Sequence, residues 1–397
     1  MTAASSKTFC VYPWIHIYAN PDGSVLPCCV ADYDKHLGNV RHSTIEEIWN
    51  NDAYREMRIR MLSGKECRQC SSCYAAEAAG NKSTRMHVNS KYQQHVNLAE
   101  LTNADGSLDA MNLRHFDVRW SNICNFKCRS CSSTYSSTWA QEDNAQGANK
   151  PVFIMADGNN NDRLYEQFLP HFENIETFYF AGGEPLLTDK HYDILEHLID
   201  IGRTGVRLEY NTNLSSLKYK NKSIVDLWKQ FENVNVFASL DSYGDRAEYI
   251  REGTDWQLIE TNIKLIRQEC PHVVLESSTV ISAFNLHTIT EFVDYLLESE
   301  LYDANSWNPS FYNIQNPTHF SADIFDPAQK ELIVRKIQGR KYSASIDKQL
   351  KHVINYVRAS HYKPELRTQF ISSARHYDGV RQRELAKTFP ELVELFQ

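Results

Sequence analysis

The chain has 397 residues, of which 42% are apolar and 23% charged, with a formal net charge of −8. That length exceeds what one small core needs, and the composition is that of an ordinary globular protein. The acidic balance gives no reason to expect a nucleic-acid surface, no apolar run approaches the roughly 20 residues of a bilayer span, and Met1–Lys7 lacks the apolar core of a secretory signal. A cytoplasmic, reducing location is expected, so the ten cysteines do not read as a disulfide framework. Nine of them precede residue 132. Cys270 stands apart and reads as a buried structural thiol.

Residues 1–85 read as a small cysteine-rich module. Trp14–Tyr18 and Ser24–Leu26 have strand character around the turn Asn20-Pro21-Asp22-Gly23. This predicts a β-hairpin that delivers Cys28 and Cys29. Ser43-Thr44-Ile45-Glu46 matches a capping box, and the spacing of Ile45, Ile48 and Trp49 predicts a helix over 44–62. Cys67, Cys70 and Cys73 follow its end at Gly64. Residues 86–111 read as a polar connector.

From residue 112 short apolar runs alternate with amphipathic stretches. Strands are predicted at 113–119, 175–180, 206–211, 234–240, 273–280 and about 305–311. Helices are predicted at 189–201, 222–231, 256–268 and 288–299. Such alternation implies an α/β fold with a parallel sheet. Six βα units are too few for a closed eight-fold barrel, so 112–320 reads as a partial (β/α)6 barrel. Residues 321–397 read as a mainly helical extension. Its Arg375, His376, Tyr377, Arg381 and Arg383 read as a solvated helical face.

Cys124, Cys128 and Cys131 follow the first barrel strand with C-x3-C-x2-C spacing. Three thiolates this close can hold three corners of a [4Fe-4S] cluster and leave the fourth iron open. On spacing alone a zinc knuckle is the competing reading. The strand-end position, where barrels place their chemistry, favours the cluster. The second strand ends in Gly182-Gly183-Glu184-Pro185, the third in Asn211-Thr212-Asn213, and the fourth in Ser239-Leu240-Asp241. Each is also a common turn or strand-end sequence.

Together these motifs resemble the radical S-adenosylmethionine (SAM) superfamily. The resemblance implies that SAM chelates the open iron through its amino and carboxylate groups. An electron from the cluster then cleaves SAM to methionine and a 5′-deoxyadenosyl radical, which abstracts hydrogen from a substrate C–H bond. By the same resemblance Gly182, Gly183 and Glu184 receive the SAM amino group. Asn211, Asn213 and Ser239 are candidates for its ribose or carboxylate, and Arg251 for its carboxylate. Relatives often have an aromatic residue just before the third cysteine, where this chain has Ser130.

Cys10, Cys28, Cys29, Cys67, Cys70 and Cys73 form a second group, which resembles the SPASM/twitch type of auxiliary iron–sulfur module. In most relatives that module follows the barrel, whereas here it precedes it. A four-ligand cluster on Cys10, Cys28, Cys70 and Cys73 is expected, with Cys67 the main rival and Cys29 a spare. Spacing leaves a four-cysteine zinc site open. The implied activity is radical modification of a peptide or protein, with a reductant such as flavodoxin or ferredoxin as partner. Radical tailoring of a sugar, amino acid or nucleotide-linked group is the alternative. A non-catalytic metal-binding scaffold is the rival from another class.

Overall fold

The computed structural model describes residues 6–78, 80, 82–150, 159–303 and 307–396. The chain divides into two compact units. Met1–Ile123, Pro151–Tyr210 and Gln230–Asn233 form the first, and Cys124–Lys150, Asn211–Lys229 and Val234–Gln397 form the second.

The first unit carries β1 (His16–Ala19), β2 (Ser24–Leu26), β3 (Gly38–Asn39), β4 (His115–Val118), β5 (Thr177–Phe180) and most of β6 (Arg207–Thr212), whose last two residues belong to the second. β1 and β2 make the predicted hairpin, with Tyr18 opposite Leu26. Gly23 takes a φ of +82° at its turn, a conformation glycine adopts without a Cβ penalty. Trp14 and Ile15 depart from the predicted strand and lie in a helical turn, Tyr12–Ile15. Pro13 suits that turn because its fixed φ is already helical and its missing N–H is not needed there. β1 also pairs in parallel with β4, His16 facing His115 and Ala19 facing Val118. The hairpin therefore extends the barrel strands. β4, β5 and β6 continue in parallel register. Phe172 packs edge-on against Phe178, their ring centroids 5.1 Å apart, and each fully buried ring contributes about 1.5–3 kcal/mol.

The helix predicted over 44–62 is two helices, Ile45–Trp49 and α1 (Asp52–Leu62). Thr44 and Glu47 make the expected capping box on the first. Asn51 breaks the run because its side chain is used twice. Its Oδ1 accepts the Tyr54 amide at 3.0 Å and its Nδ2 donates to the Leu37 carbonyl at 2.6 Å. The predicted connector is also structured, as α2 (Thr84–Lys91) and a 3₁₀ stretch over Gln93–Leu101. Its polar composition concealed a buried side that includes Arg85 and Val88.

The second unit carries β7 (Asn233–Ser239), β8 (Val274–Ile281) and β9 (Ser310–Asn313), parallel to one another. On β7, Val234, Val236 and Ala238 are buried while Asn235, Phe237 and Ser239 are half-buried, the period-two pattern of a strand with one open face. The start of the strand predicted at about 305–311 lies outside the described residues. α3 (Ser137–Ala145) is an unpredicted helix, while α4 (Asp189–Asp200), α5 (Trp256–Glu269) and α6 (Ile289–Glu298) match predicted ones. The helix expected over 222–231 is confined to Ile224–Trp228. The extension forms α7 (Pro327–Gln338), α8 (Ala344–Ala359) and α9 (Pro364–Arg381). Phe370 of α9 packs 5.3 Å from Phe284, so the extension joins the core of this unit. The fold is α/β, with the six parallel strands of a partial (β/α)6 barrel. No helix among the described residues is long and apolar enough to cross a membrane.

Candidate cluster-binding sites

The three-cysteine loop is held by its backbone. The Cys124 amide donates to Ser137 Oγ at 3.2 Å. The Phe126 carbonyl accepts from Ser136 Oγ at 2.6 Å and Thr138 Oγ1 at 2.9 Å, and the Cys128 carbonyl accepts from Trp139 Nε1 at 2.7 Å. All four bracing side chains come from the start of α3 or its N-cap. Cys131 turns back by donating its amide to the Cys128 carbonyl at 2.9 Å. Cys128 is buried, while Cys124 and Cys131 are partly exposed. Burial raises the Cys128 thiol and pushes that of Cys131 up to about 12. Without a bound metal both thiols would be protonated at neutral pH.

Gly182 and Gly183 hold the entry to this loop within the first unit. A Cβ on Gly183 would lie 2.2 Å from the Ile123 carbonyl oxygen. Gly182, at φ +126°, leaves room for the Arg119 side chain. The Gly183 and Glu184 amides donate to the Ser121 and Ile123 carbonyls at 3.2 and 2.7 Å. Ile123 is the residue before Cys124, so close backbone approach here sets where the loop begins. Glu184 is buried and its carboxylate accepts the Leu186 amide at 3.1 Å. Gly183→Ala should cost about 1–3 kcal/mol of stability by overpacking, read by denaturant unfolding. Gly205→Ala, whose new methyl would meet only Glu232 at 3.7 Å, should stay close to wild type.

Among the remaining predicted SAM contacts, Asn213 donates to the Asn125 side chain at 3.1 Å and so touches the cysteine loop. Asn211 and Ser239 lie half-buried near the C-terminal ends of β6 and β7. Arg251 sits directly opposite Cys128 in a short antiparallel ladder. Its guanidinium reaches the Cys128 sulfur at 3.7 Å and pairs with the buried Asp241 at 2.9 Å.

The reading of the C-terminal residues as a solvated face fails at Arg381. Its side chain is 1% exposed, makes a two-pronged contact with Glu142 and donates to the Lys127 carbonyl at 3.0 Å. It also lies over the rings of Trp139 and Tyr377. Arg129, inside the loop, pairs with Asp378 at 3.0 Å, and Arg383 pairs with Glu252. Glu142, Asp378 and Arg381 had no local signal in the sequence. They are 239, 249 and 254 residues from some of the partners that give them a role.

In the first unit Cys10, Cys28, Cys70 and Cys73 line one cavity, together with Tyr12 and Arg85. Its remaining lining is mostly apolar, and among the described residues Arg85 is the single charged one in it. Cys67 is not part of the lining. Its thiol faces the Met57 carbonyl at 3.7 Å. Cys29 is exposed and also outside the lining. Arg85 pairs with Glu77 and donates to the Phe9 carbonyl, while Asn89 brackets Cys10 by bonding Phe9 and Val11. Burial pushes the Cys10 thiol up to about 12 and raises that of Cys28. Among the described residues no three Cys, His, Asp or Glu side chains are gathered as a single metal ion requires. The four thiols line one common cavity. Cys270 is fully buried, its thiol directed at the Val225 carbonyl.

Three thiols on one braced loop at the end of a barrel strand are a donor set suited to an iron–sulfur cluster in a protein of the βα class. A model of the radical SAM superfamily matches residues 118–296, and a SPASM model, an iron-sulfur cluster-binding domain, matches residues 10–74. The chain thus carries a radical SAM domain, with a SPASM domain N-terminal to it. The cofactors of these domains are a [4Fe-4S] cluster with SAM and an auxiliary iron–sulfur cluster.

Similar solved structures include native anSMEcpe with bound AdoMet, at 18% identity and a TM-score of 0.39, covering 57% of this chain and 61% of that one. The same protein with AdoMet and the Cp18Cys peptide matches at 16% identity and a TM-score of 0.38, covering 56% and 57%. TYW1 with a lysine-pyruvate adduct matches at 14% and 0.32, covering 58% and 72%. The chain thus spans less than two thirds of the length of the first two. No curated protein matches it.

Proposed function

We propose that this chain is a radical SAM enzyme that modifies a peptide or protein, using a one-electron donor of the flavodoxin or ferredoxin kind in the cytoplasm. The observation that carries the reading is the braced C-x3-C-x2-C loop at the end of β4, entered through the Gly182-Gly183 contact. When bound, the cluster supplies one electron and SAM supplies the hydrogen-abstracting 5′-deoxyadenosyl group.

The work of the chain itself is positional. Cys124, Cys128 and Cys131 hold three irons and leave the fourth for SAM. Glu184, Asn211, Asn213, Ser239 and Arg251 are proposed to receive the polar groups of SAM, with Gly182 and Gly183 allowing close approach. Cys10, Cys28, Cys70 and Cys73 are proposed to hold the auxiliary cluster, and Arg85 offsets part of its negative charge. The peptide reading rests on the SPASM-type domain.

The deciding experiment is anaerobic reconstitution followed by dithionite and SAM, with 5′-deoxyadenosine measured by chromatography. Iron-replete protein that forms none, with or without added peptide and small-molecule fractions, would refute the catalytic reading. Faster formation with small-molecule fractions only would replace the peptide with a small-molecule substrate. Replacing Cys10, Cys28, Cys70 and Cys73 by alanine should remove about four irons per chain and leave a SAM-responsive cluster signal. Zinc in the N-terminal domain would rule out the auxiliary cluster.

A further inference from the structure

We propose that Arg251, anchored by Asp241, is the charge partner of the Cys128 ligand sulfur and raises the reduction potential of the radical-generating cluster. This rests on the reading of Cys128 as a cluster ligand and goes beyond it by assigning Arg251 a positioning role in electron uptake.

The geometry is specific. Arg251 and Cys128 are directly paired residues of a two-stranded ladder, with Glu252 opposite Lys127. Gly253, at φ +106°, brings the ladder close to the loop. A Cβ there would lie 2.7 Å from the Asn125 carbonyl oxygen. The two ends of the guanidinium have different partners. One terminal nitrogen donates to Cys128 Sγ at 3.7 Å, and Nε faces Asp241 at 2.9 Å. Asp241 is 1% exposed and is fixed in turn, because its Oδ1 accepts the Val280 amide at 2.8 Å. Its backbone carbonyl accepts from Asn285 Nδ2 at 2.9 Å. The arginine therefore has little freedom to leave the sulfur.

Hydrogen bonds to cluster sulfurs and nearby net charge are among the main controls of cluster potential. Reduction adds one electron from the external donor to the cluster, moves no proton, and places one more negative charge on cluster and ligands. A cation held beside one ligand sulfur stabilises that added charge. Asp241 opposes the effect through its own charge while securing the arginine in place, so the two residues make opposite predictions.

The test is an EPR-monitored redox titration of the full-length reconstituted protein, following the cluster whose spectrum changes on adding SAM. Arg251→Met should move its midpoint potential to more negative values, Arg251→Lys should stay near wild type, and Asp241→Asn should move it to more positive values. A loaded Arg251→Met protein with an unchanged midpoint overturns the proposal. So does Asp241→Asn shifting to more negative values or not at all, and that variant decides alone if Arg251→Met loads poorly. Weakened SAM binding in Arg251→Met with an unmoved potential would leave Arg251 with its SAM contact alone and remove the role in electron uptake. Wild-type protein with no SAM-responsive cluster would overturn the parent reading, a result distinct from all of these.

Discussion

Replacing Cys124, Cys128 and Cys131 together by alanine is expected to abolish SAM cleavage and to lower bound iron from about eight to about four atoms per chain. The expectation follows from where the thiols lie. The three loop cysteines belong to the second unit, while Cys10, Cys28, Cys70 and Cys73 line a cavity within the first. The auxiliary set has its own supports, Arg85 and Asn89 around Cys10, and none of them involves the loop. Iron and sulfide analysis, with 5′-deoxyadenosine measured alongside, reads both effects. A triple variant that still cleaves SAM would place the radical-generating cluster elsewhere. Loss of all iron would show that the two sites do not load independently.

The second large effect is expected at Arg381. Its guanidinium and the Glu142 carboxylate are both nearly inaccessible, with side chains 1% and 7% exposed. Removing one member of a buried pair costs about 3–5 kcal/mol when the other charge is left alone; here Lys127 still pairs with Glu142 at 2.6 Å, so a loss at or below the low end of that range is expected. Arg381→Met should destabilise the chain by that order in denaturant unfolding and lower iron retention at the loop, since Arg381 also bonds the Lys127 carbonyl. Adding Glu142→Gln should recover part of the loss, because the pair couples in a double-mutant cycle. Equal, additive losses in the two single variants would argue against coupling between Arg381 and Glu142.

Burial by itself raises the Glu142 carboxyl, but hydrogen bonds from Arg381 and Lys127 outweigh it and hold the group below the usual carboxylate range. A depressed folded value means the stabilisation is present above the unfolded carboxylate value and is lost as pH falls through the folded one. The stability contributed by Glu142 should therefore be constant near neutrality and decline in acid, and Glu142→Gln should flatten that decline.

Some of this architecture is local and was legible. Strands β4 to β8 fall within about two residues of their expected limits, because alternation of buried and open positions along a strand is written into adjacent residues. The capping box at Thr44 and Glu47 is local in the same way. Other features depended on distant partners. Asn51 ends one helix and starts another because Leu37 and Tyr54 take its side chain. The segment after residue 84 is helical despite its polar composition, and its Arg85 reaches Phe9 and Glu77.

The three-cysteine loop shows the same division. Its spacing, its place after a strand and the two glycines ahead of Glu184 come from the sequence by itself, because ligand spacing and strand-end turns are short-range properties. That Gly183 presses on Ile123, that Arg251 faces Cys128, and that Arg381 closes on Glu142 were decided only by the tertiary structure. The same holds for the four N-terminal cysteines that share a cavity while Cys29 and Cys67 lie outside its lining. The physical reason is that a buried charge or thiol takes its role from whatever the fold places within a few ångströms of it. Residues up to 254 positions apart leave no periodic trace of that meeting in the chain.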